Sequence, residues 1–209
     1  AMQGTYLGPQ FSNKEITKYL NKINASYQFM SDTDLFSCLA ELLDQGKVIG
    51  WFNGAMEFGP RSLGARSILG DPRSKEMQSI MNLKIKYRES FRPFAPSVLE
   101  EEVSNQFDLH SESPYMLLVA PVKQELCRSM NAKEKQLFGI EKLKISRSTL
   151  PAITHVDYSA RVQTVSSQTN PRYYNLIKSF QRLTGCPTVV NTSFNVRGEP
   201  IVCTPQDAY

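Results

Sequence analysis

The sequence predicts an α/β or α+β fold, because helical and strand patterns alternate along its 209 residues. Apolar residues recur at helical spacing after Ser31 and stop at Gly46, which predicts a helix between them. The run KVIGWF follows at once and is typical of a strand. A second helix is predicted from Lys75 to Tyr87. Its inward side chains are expected to be Met77, Ile80 and Met81.

The second half of the chain continues this alternation. The nearly continuous apolar run Tyr115–Val122 predicts a strand that is covered on both faces. Lys123–Thr149 is rich in lysine, lacks a sustained apolar pattern and is expected to be a surface excursion. AITHV and RVQTV flank DYSA, which predicts a hairpin or a tight corner. PTVVNTSF is predicted to be a strand that enters the turn NVRGEP.

One more helix is predicted between the last two of these strands. Asn170 and Pro171 supply a cap and a first-turn proline, and Gly185 ends the pattern. The inward side chains are expected to be Tyr174, Ile177, Phe180 and Leu183.

The two ends of the chain suggest its domain organisation. Residues 1–31 are polar, with a loop and a short capped helix, and are expected to be a linker or the tail of a preceding domain. Residues 32–209 form the predicted domain. Thr204 to Asp207 supply the cap, proline and acid that begin a helix. We expect this helix to be cut short, so that the domain is truncated within a longer protein.

Composition excludes several classes of protein. The chain is 41% hydrophobic and 21% charged, and its net charge of +4 is too mild to indicate nucleic-acid binding. No apolar run spans a membrane and no signal peptide is present, so we expect a soluble, cytoplasmic protein. The four cysteines form no C-x-x-C pair and the two histidines are far apart, so neither disulfides nor a metal site is expected.

The segment WFNGAMEFGPRSLGARSILGDPR holds three arginines among glycine and proline. A loop of this kind can hold an anion on its arginines and backbone amides. The same arginines could instead form surface pairs with Glu57, Asp71 or Glu76. The three arginines are Arg61, Arg66 and Arg73.

Two further segments carry polar groups suited to phosphate. Lys86 and Arg88 alternate in KYR, as do Ser193 and Asn195 in SFN, so each pair faces one way if extended. NTSFN also follows an apolar strand, where α/β folds place ligands. Two cations, a hydroxyl and an amide would cradle phosphate oxygens. Neighbouring candidates are Arg92, Asn191 and Arg197.

Each of these candidates has a structural alternative. Lys86 and Arg88 could instead lie at the C-terminus of a helix, where cations interact favourably with the helix dipole. NTSFN could simply cap a turn, since its residue types favour turns. His155 lies two residues from Asp157 and could be a general acid–base pair or a structural histidine.

Several motifs together resemble the C-terminal domain of the carbamoyltransferase family, from about Asp32 to Tyr209. They are MEFGPRSLGARSILGDPR, KYRESFRPFAPSV, PAITHVDYSARVQTV, NPRYYNLI and GCPTVVNTSFNVRGEPIVCTPQDA. The family includes nodulation-factor, cephamycin and aminoglycoside O-carbamoyltransferases. Lys123–Thr149 lies outside the resemblance. The resemblance implies a YrdC-like fold, which is a twisted open α/β sheet with flanking helices and a basic concave face.

The resemblance also implies an activity. The YrdC-like domain would form carbamoyl adenylate from carbamoyl phosphate and ATP with Mg²⁺. An N-terminal actin-like ATPase-fold domain, the expected partner, would then transfer the carbamoyl group to a hydroxyl with a histidine-bound metal that this chain lacks. The alternative is a non-catalytic YrdC-like module that binds nucleotide or RNA. Small-molecule substrates are expected, whereas nucleic acid and membranes are not.

Site residues are expected in two groups, and no metal ligands are expected. YrdC-like proteins bind nucleotide with Lys-x-Arg and Ser-x-Asn elements, which Lys86–Arg88 and Ser193–Asn195 resemble. The expected catalytic residues are Arg61, Arg66, His155 and Arg161. The expected substrate- and nucleotide-binding residues are Lys86, Arg88, Arg92, Asp157, Asn191, Ser193, Asn195 and Arg197.

Overall fold

The computed structural model describes residues 4–209, which contain one open six-stranded sheet in the order β1-β2-β6-β3-β5-β4. Only β3 and β5 run parallel, and the other neighbours are antiparallel. The predicted mixed α/β class is therefore confirmed. The strands are β1 Ile49–Phe52, β2 Arg66–Gly70, β3 Ala95–Leu99, β4 Leu118–Pro121, β5 Ser159–Val165 and β6 Thr188–Ser193.

The described residues contain eight α-helices. The helices are α1 Asn13–Lys22, α2 Asp32–Asp44, α3 Met77–Lys84, α4 Val103–Gln106, α5 Ala132–Gln136, α6 Gly139–Leu143, α7 Pro171–Thr184 and α8 Pro205–Ala208. Two short 3-10 turns, Glu100–Glu102 and Gln124–Leu126, precede α4 and α5 in the chain.

Helices α2 and α7 pack against each other, and both contact the sheet. Their predicted ends are confirmed: the Ser31 side chain caps α2, and α7 runs from Asn170 to a left-handed Gly185. The inward face of α7 differs in part from the prediction, because Leu183 is exposed. The side chains of α7 that are buried in the core are Tyr173, Leu176, Ile177 and Phe180.

Short helices near the chain ends also match the sequence. Ser12 and Glu15 form a capping box at α1, and Thr204 and Asp207 form another at α8. In α3, Met77 and Met81 are fully buried. Residues 1–3 of the expected N-terminal tail lie outside the described residues.

The arginine-rich segment was expected to be a loop throughout, and this was wrong for its second half. Arg66–Gly70 is the strand β2, which lies between β1 and β6, and all five residues are buried. Its register pairs Ile68 with Thr192 and Leu69 with Asn191. Because glycine and proline precede Arg66, the sequence did not indicate this strand of only five residues.

The apolar strand β4 was expected to be covered on both faces, and this was also wrong. It lies at the sheet edge beside β5. Leu117 and Val119 are 68% and 65% exposed. The following corner, which includes Tyr158 at φ +65°, is made of turns, so the tight corner rather than the hairpin is correct.

The lysine-rich excursion lies on the surface, as predicted. Neither α5 nor α6 buries a residue. The base of the excursion is held by backbone bonds, from Arg128 N to Arg147 O at 2.7 Å and from Thr149 N to Leu126 O at 2.9 Å. No helix among residues 4–209 is long and apolar enough to cross a bilayer. All four cysteines are free thiols.

Candidate functional site

A cavity of about 1070 Å³ opens between the end of β6, the loop at residues 60–62, the corner at 151–156 and the excursion. This volume lies slightly above the usual range of small-molecule sites. Its wall is strongly basic, and Glu134 is the one acidic residue on it. The cationic residues on the wall are Arg61, Lys75, Arg88, Arg92, Arg128, Lys144, Arg147 and Arg161.

Arg61 and Arg161 form the part of this wall that we call the arginine pair. Neither side chain has a hydrogen bond or a carboxylate partner within residues 4–209, and the Nε atom of each is buried without an acceptor. Burial lowers the pKa of Arg161, and the charge of nearby Arg61 lowers it further. Two cations held together without an acid are suited to an anion that reaches both.

The backbone of the loop that carries Arg61 is fixed by a buried carboxylate. Glu57 Oε1 accepts the amide N–H groups of Leu63 at 2.6 Å and Ala65 at 2.7 Å. Gly64 has a φ of +98°, and a Cβ there would overlap the ring of Tyr173. The carboxylate that could have paired with an arginine therefore holds the loop instead.

Arg66 was expected at the same anion site, and the structure places it elsewhere. Its Nη1 atom donates to the carbonyl oxygens of Asn53 and Gly54 at 3.3 and 3.2 Å, and Nη2 donates to Pro9 O at 3.1 Å. The guanidinium lies 3.5 Å from the centroid of the Phe52 ring. Arg66 is fully buried and is off the cavity wall, so its position indicates a structural role.

The third arginine of the segment forms the surface pairs that were the alternative for all three. Arg73 Nη2 lies 2.7 Å from Asp71 Oδ2 and 2.6 Å from Asp44 Oδ1. These bonds raise the pKa of Arg73, with Asp71 contributing most. Arg61 is thus the member of the three that faces the cavity.

Lys86, Ser193 and Asn195 come together as predicted, and we call them the lysine cluster. Lys86 Nζ donates to Ser193 O at 2.6 Å and to Asn195 Oδ1 at 2.7 Å, and Asn195 O lies 2.9 Å away. Ser193 Oγ donates to Asn195 Oδ1 at 2.7 Å. Burial, and then the charge of Arg88, lowers the pKa of Lys86 to about 8.

The geometry of the lysine cluster differs from that of the arginine pair. Lys86 is only 8% exposed and is not on the cavity wall, whereas Ser193 is. The ammonium is engaged with oxygens of the turn that carries Ser193. In this arrangement Lys86 can position that turn beside the cavity.

Arg88, Arg92 and Asn191 all line the cavity. Arg88 Nε donates to Asn82 Oδ1 at 2.6 Å, and burial, followed by Arg92, lowers the pKa of Arg88. Asn191 donates to Ser62 O at 3.0 Å, while its Oδ1 is buried without a donor among the described residues. Asn191 is therefore held by the protein through its Nδ2 atom at the floor of the cavity.

The remaining candidates are peripheral. His155 lines the cavity, and its Nδ1 lies 3.1 Å from Asp157 Oδ1. Asp157 is off the wall, and hydrogen bonds from Ser159, with a smaller effect of His155, lower its pKa. Arg197 donates to Tyr87 O at 2.9 Å, and it and Asn195 also lie off the wall.

Comparison with known families settles the relationship of the chain. The model for the carbamoyltransferase C-terminus matches residues 40–209. The chain belongs to this family. Its predicted resemblance is therefore confirmed.

Named relatives of the carbamoyltransferase C-terminal chain cover most of its length. Nodulation protein NolO of Bradyrhizobium diazoefficiens is 41% identical over 97% of the chain and 34% of its own length. The 3'-hydroxymethylcephem-O-carbamoyltransferase of Amycolatopsis lactamdurans is 35% identical over 78% of the chain and 27% of its own length. An uncharacterized Synechocystis protein is 64% identical over the whole chain and 34% of its own length. The chain thus spans about a third of these relatives.

Sequence reasoning missed the contribution of the excursion to this cavity. Residues 143–147 form one side of the cavity, together with Arg128 and Glu134. The only available signal was the high content of lysine and arginine, which is equally typical of a solvated surface. Within residues 4–209, no group of three His, Cys, Asp or Glu side chains could hold a metal ion.

Proposed function

We propose that this carbamoyltransferase C-terminal chain binds carbamoyl phosphate and ATP in the basic cavity and forms carbamoyl adenylate. The observation that carries the proposal is the arginine pair, Arg61 and Arg161, whose guanidinium groups line the cavity without a hydrogen bond or a carboxylate partner within residues 4–209. Both substrates are anions that repel each other, so holding them together requires cations that are not already neutralised.

The cavity suits two ligands better than one. Its volume of about 1070 Å³ is slightly above the usual range of sites for one small molecule. In the proposed reaction, water cleaves carbamoyl phosphate to carbamate and phosphate. A carbamate oxygen then forms a bond to the α-phosphorus of ATP, the bond from that phosphorus to the bridging oxygen of the β-phosphate breaks, and pyrophosphate leaves. The products are carbamoyl adenylate, pyrophosphate and phosphate.

The chain's own residues would bind and orient the substrates in this reaction. Arg61 and Arg161 would hold phosphoryl oxygens, and Arg88, which lies 4.8 Å from the Phe94 ring centroid, would hold a second anion. Ser193 lies on a turn positioned by Lys86, and its hydroxyl would turn from Asn195 Oδ1, to which it donates in the structure, toward a ligand oxygen. Mg²⁺ would arrive with ATP, since this ion usually bridges phosphates and keeps its waters.

The complete enzyme would be an O-carbamoyltransferase. We propose that the longer protein transfers the activated carbamoyl group to an acceptor hydroxyl in its N-terminal, actin-like ATPase-fold domain. This proposal is supported by the carbamoyltransferase relative, of which the chain spans 27%. We place the reaction in the cytoplasm, where ATP is supplied.

The decisive experiment is carbamoyl-phosphate-dependent exchange of labelled pyrophosphate into ATP. Wild-type chain should catalyse exchange, and Arg161→Gln should abolish most of it without altering the fold. Arg182→Gln, on the exposed end of α7, is the matched control and should retain full exchange. Saturable ATP binding with no exchange would instead favour the non-catalytic nucleotide-binding module. Binding that falls steeply with salt and prefers RNA would favour the RNA-binding form.

A further inference from the structure

The surface excursion contributes a second group of cations to the cavity. Lys144 and Arg147 both line it, and neither has a carboxylate partner among the described residues. Arg128, the other cation of this side, is paired with Glu134. The excursion therefore carries positive charge that the protein does not neutralise.

Arg147 holds the shape of this side of the cavity. Arg147 is only 6% exposed, and its Nε is buried without an acceptor among the described residues. Its Nη2 donates to Lys142 O at 2.7 Å, and its Nη1 donates to Ile145 O at 3.0 Å. Nη1 also lies 3.4 Å from Leu143 O, so these bonds hold the end of α6 and the residue on each side of Lys144.

The excursion is anchored at its base and free at its tip. The base is tied by one backbone bond from Arg128 N to Arg147 O and another from Thr149 N to Leu126 O. At the tip, Phe138 is 92% exposed, and α5 and α6 bury no residue. The backbone that presents Lys144 is thus fixed by Arg147 and the base rather than by packing of the two helices.

We propose that the excursion is a phosphate-binding wall, in which Lys144 contacts a phosphoryl group of the ligand and Arg147 is its positioning residue. The proposal deepens the proposed function, since it assumes that the cavity takes phosphate-bearing ligands. Lys144 faces the same cavity as the arginine pair, so one ligand or two could span it. The phosphoryl group belongs either to the polyphosphate of ATP or to carbamoyl phosphate.

Calorimetric titration with inorganic pyrophosphate, ATP and carbamoyl phosphate tests this wall. Lys144→Ala should raise the Kd for pyrophosphate about tenfold, as expected when a charge-assisted bond is lost. The same variant should weaken the binding of either ATP or carbamoyl phosphate, but not of both, and the affected substrate is the source of the phosphoryl group. Lys133→Ala removes the same charge from α5, off the cavity wall, and should change no Kd.

The positioning role of Arg147 has its own measurement. If Arg147 acts through Lys144, Arg147→Met should weaken the binding of pyrophosphate. Adding Lys144→Ala to this variant should then change the Kd for pyrophosphate little further. Equal and additive effects would overturn the positioning role. The Lys144 result stands even if Arg147→Met fails to fold.

Outcomes for the wall and for the proposed function are separable. Unchanged binding of all three ligands by Lys144→Ala, with wild-type exchange intact, would overturn the wall alone. Absence of exchange in the wild type, with pyrophosphate bound through Lys144, would overturn carbamoyl adenylate formation and leave the wall standing.

Discussion

The arginine pair and the lysine cluster both contain cations, but the protein surrounds those cations in opposite ways. The guanidinium groups of Arg61 and Arg161 make no hydrogen bond and meet no carboxylate within residues 4–209. Lys86 directs its ammonium to oxygens of Ser193 and Asn195 within 3.2 Å. The cations of the first region have no partner in the described chain, whereas the cation of the second is bonded by the protein.

A cation in a ligand-binding motif therefore need not contact the ligand. A buried donor that lacks a partner is costly, so an unpaired arginine indicates a binding surface. A buried donor with several protein acceptors indicates a fixed backbone. The four predictions below test this distinction, beginning with the largest effect.

Arg66 should behave as a cation that the protein itself holds, because its two Nη atoms donate four hydrogen bonds to carbonyl oxygens and only its Nε lacks an acceptor. Arg66→Met should lower the free energy of unfolding by about 3 kcal/mol, because it leaves several buried carbonyl oxygens without donors. Urea denaturation measures this loss. Arg61→Met, on the same segment but without such bonds, is the control and should cost less than about 0.5 kcal/mol. Equal losses for the two variants would contradict the comparison.

The arginine pair should show the reverse pattern. Arg61→Gln should weaken binding of carbamoyl phosphate or ATP by about 1.5–3 kcal/mol, since a bond to a charged group is lost. Its stability should not fall, because removal of one charge relieves the repulsion from Arg161. Calorimetry and thermal denaturation measure the two effects. A stable Arg61→Gln that binds both ligands normally would show that the pair is not the anion site.

The contrast between these arginines explains what the sequence could predict. Periodicity and caps identified α2 and α7, because amphipathic helices and Ser31 or Gly185 act within a few residues. Motif resemblance identified the lysine cluster. Arg61 and Arg66 are five residues apart. No local pattern shows that Arg66 is buried beside carbonyl oxygens while Arg61 faces the cavity.

Tertiary placement explains the remaining errors. β2 is buried because it lies between β1 and β6, and β4 is exposed because it lies at an edge. Arg147 bonds with carbonyls that lie two to five residues before it in sequence, yet its place on the cavity wall depends on how the excursion folds back. Sheet order and loop closure are long-range properties that composition does not encode.

The lysine cluster should respond to pH in a way that the arginine pair does not. The pKa of Lys86 is lowered to about 8, so its ammonium is charged at pH 7 and loses its proton as the pH rises through this value. ATP affinity should then fall by about 1 kcal/mol between pH 7 and 9, because the turn that carries Ser193 loses its charged anchor. Calorimetry across this range measures the change.

The control for this titration is Lys86→Met, whose ATP affinity should be weaker and should lack the step near pH 8. By linkage, the contribution of Lys86 to the free energy of unfolding should rise between about pH 8 and its usual pKa of 10.5, since the unfolded chain then holds more protons. Identical pH profiles of ATP affinity for the wild type and Lys86→Met would assign the step to another group.

The smallest expected effect concerns divalent metal ions without nucleotide. His155 lines the cavity and Asp157 is the carboxylate beside it, but Asp157 Oδ1 already accepts from Ser159 N at 3.1 Å and from Ser159 Oγ at 2.6 Å. Mg²⁺ prefers oxygen ligands with several retained waters, and phosphates supply these better than one engaged carboxylate. Calorimetric titration of the nucleotide-free chain with Mg²⁺ or Mn²⁺ should therefore give no binding tighter than millimolar, and Asp157→Asn should change nothing. Micromolar binding that Asp157→Asn abolishes would place a standing metal beside the arginine pair, and the anion would then be held by an ion as well as by free arginines.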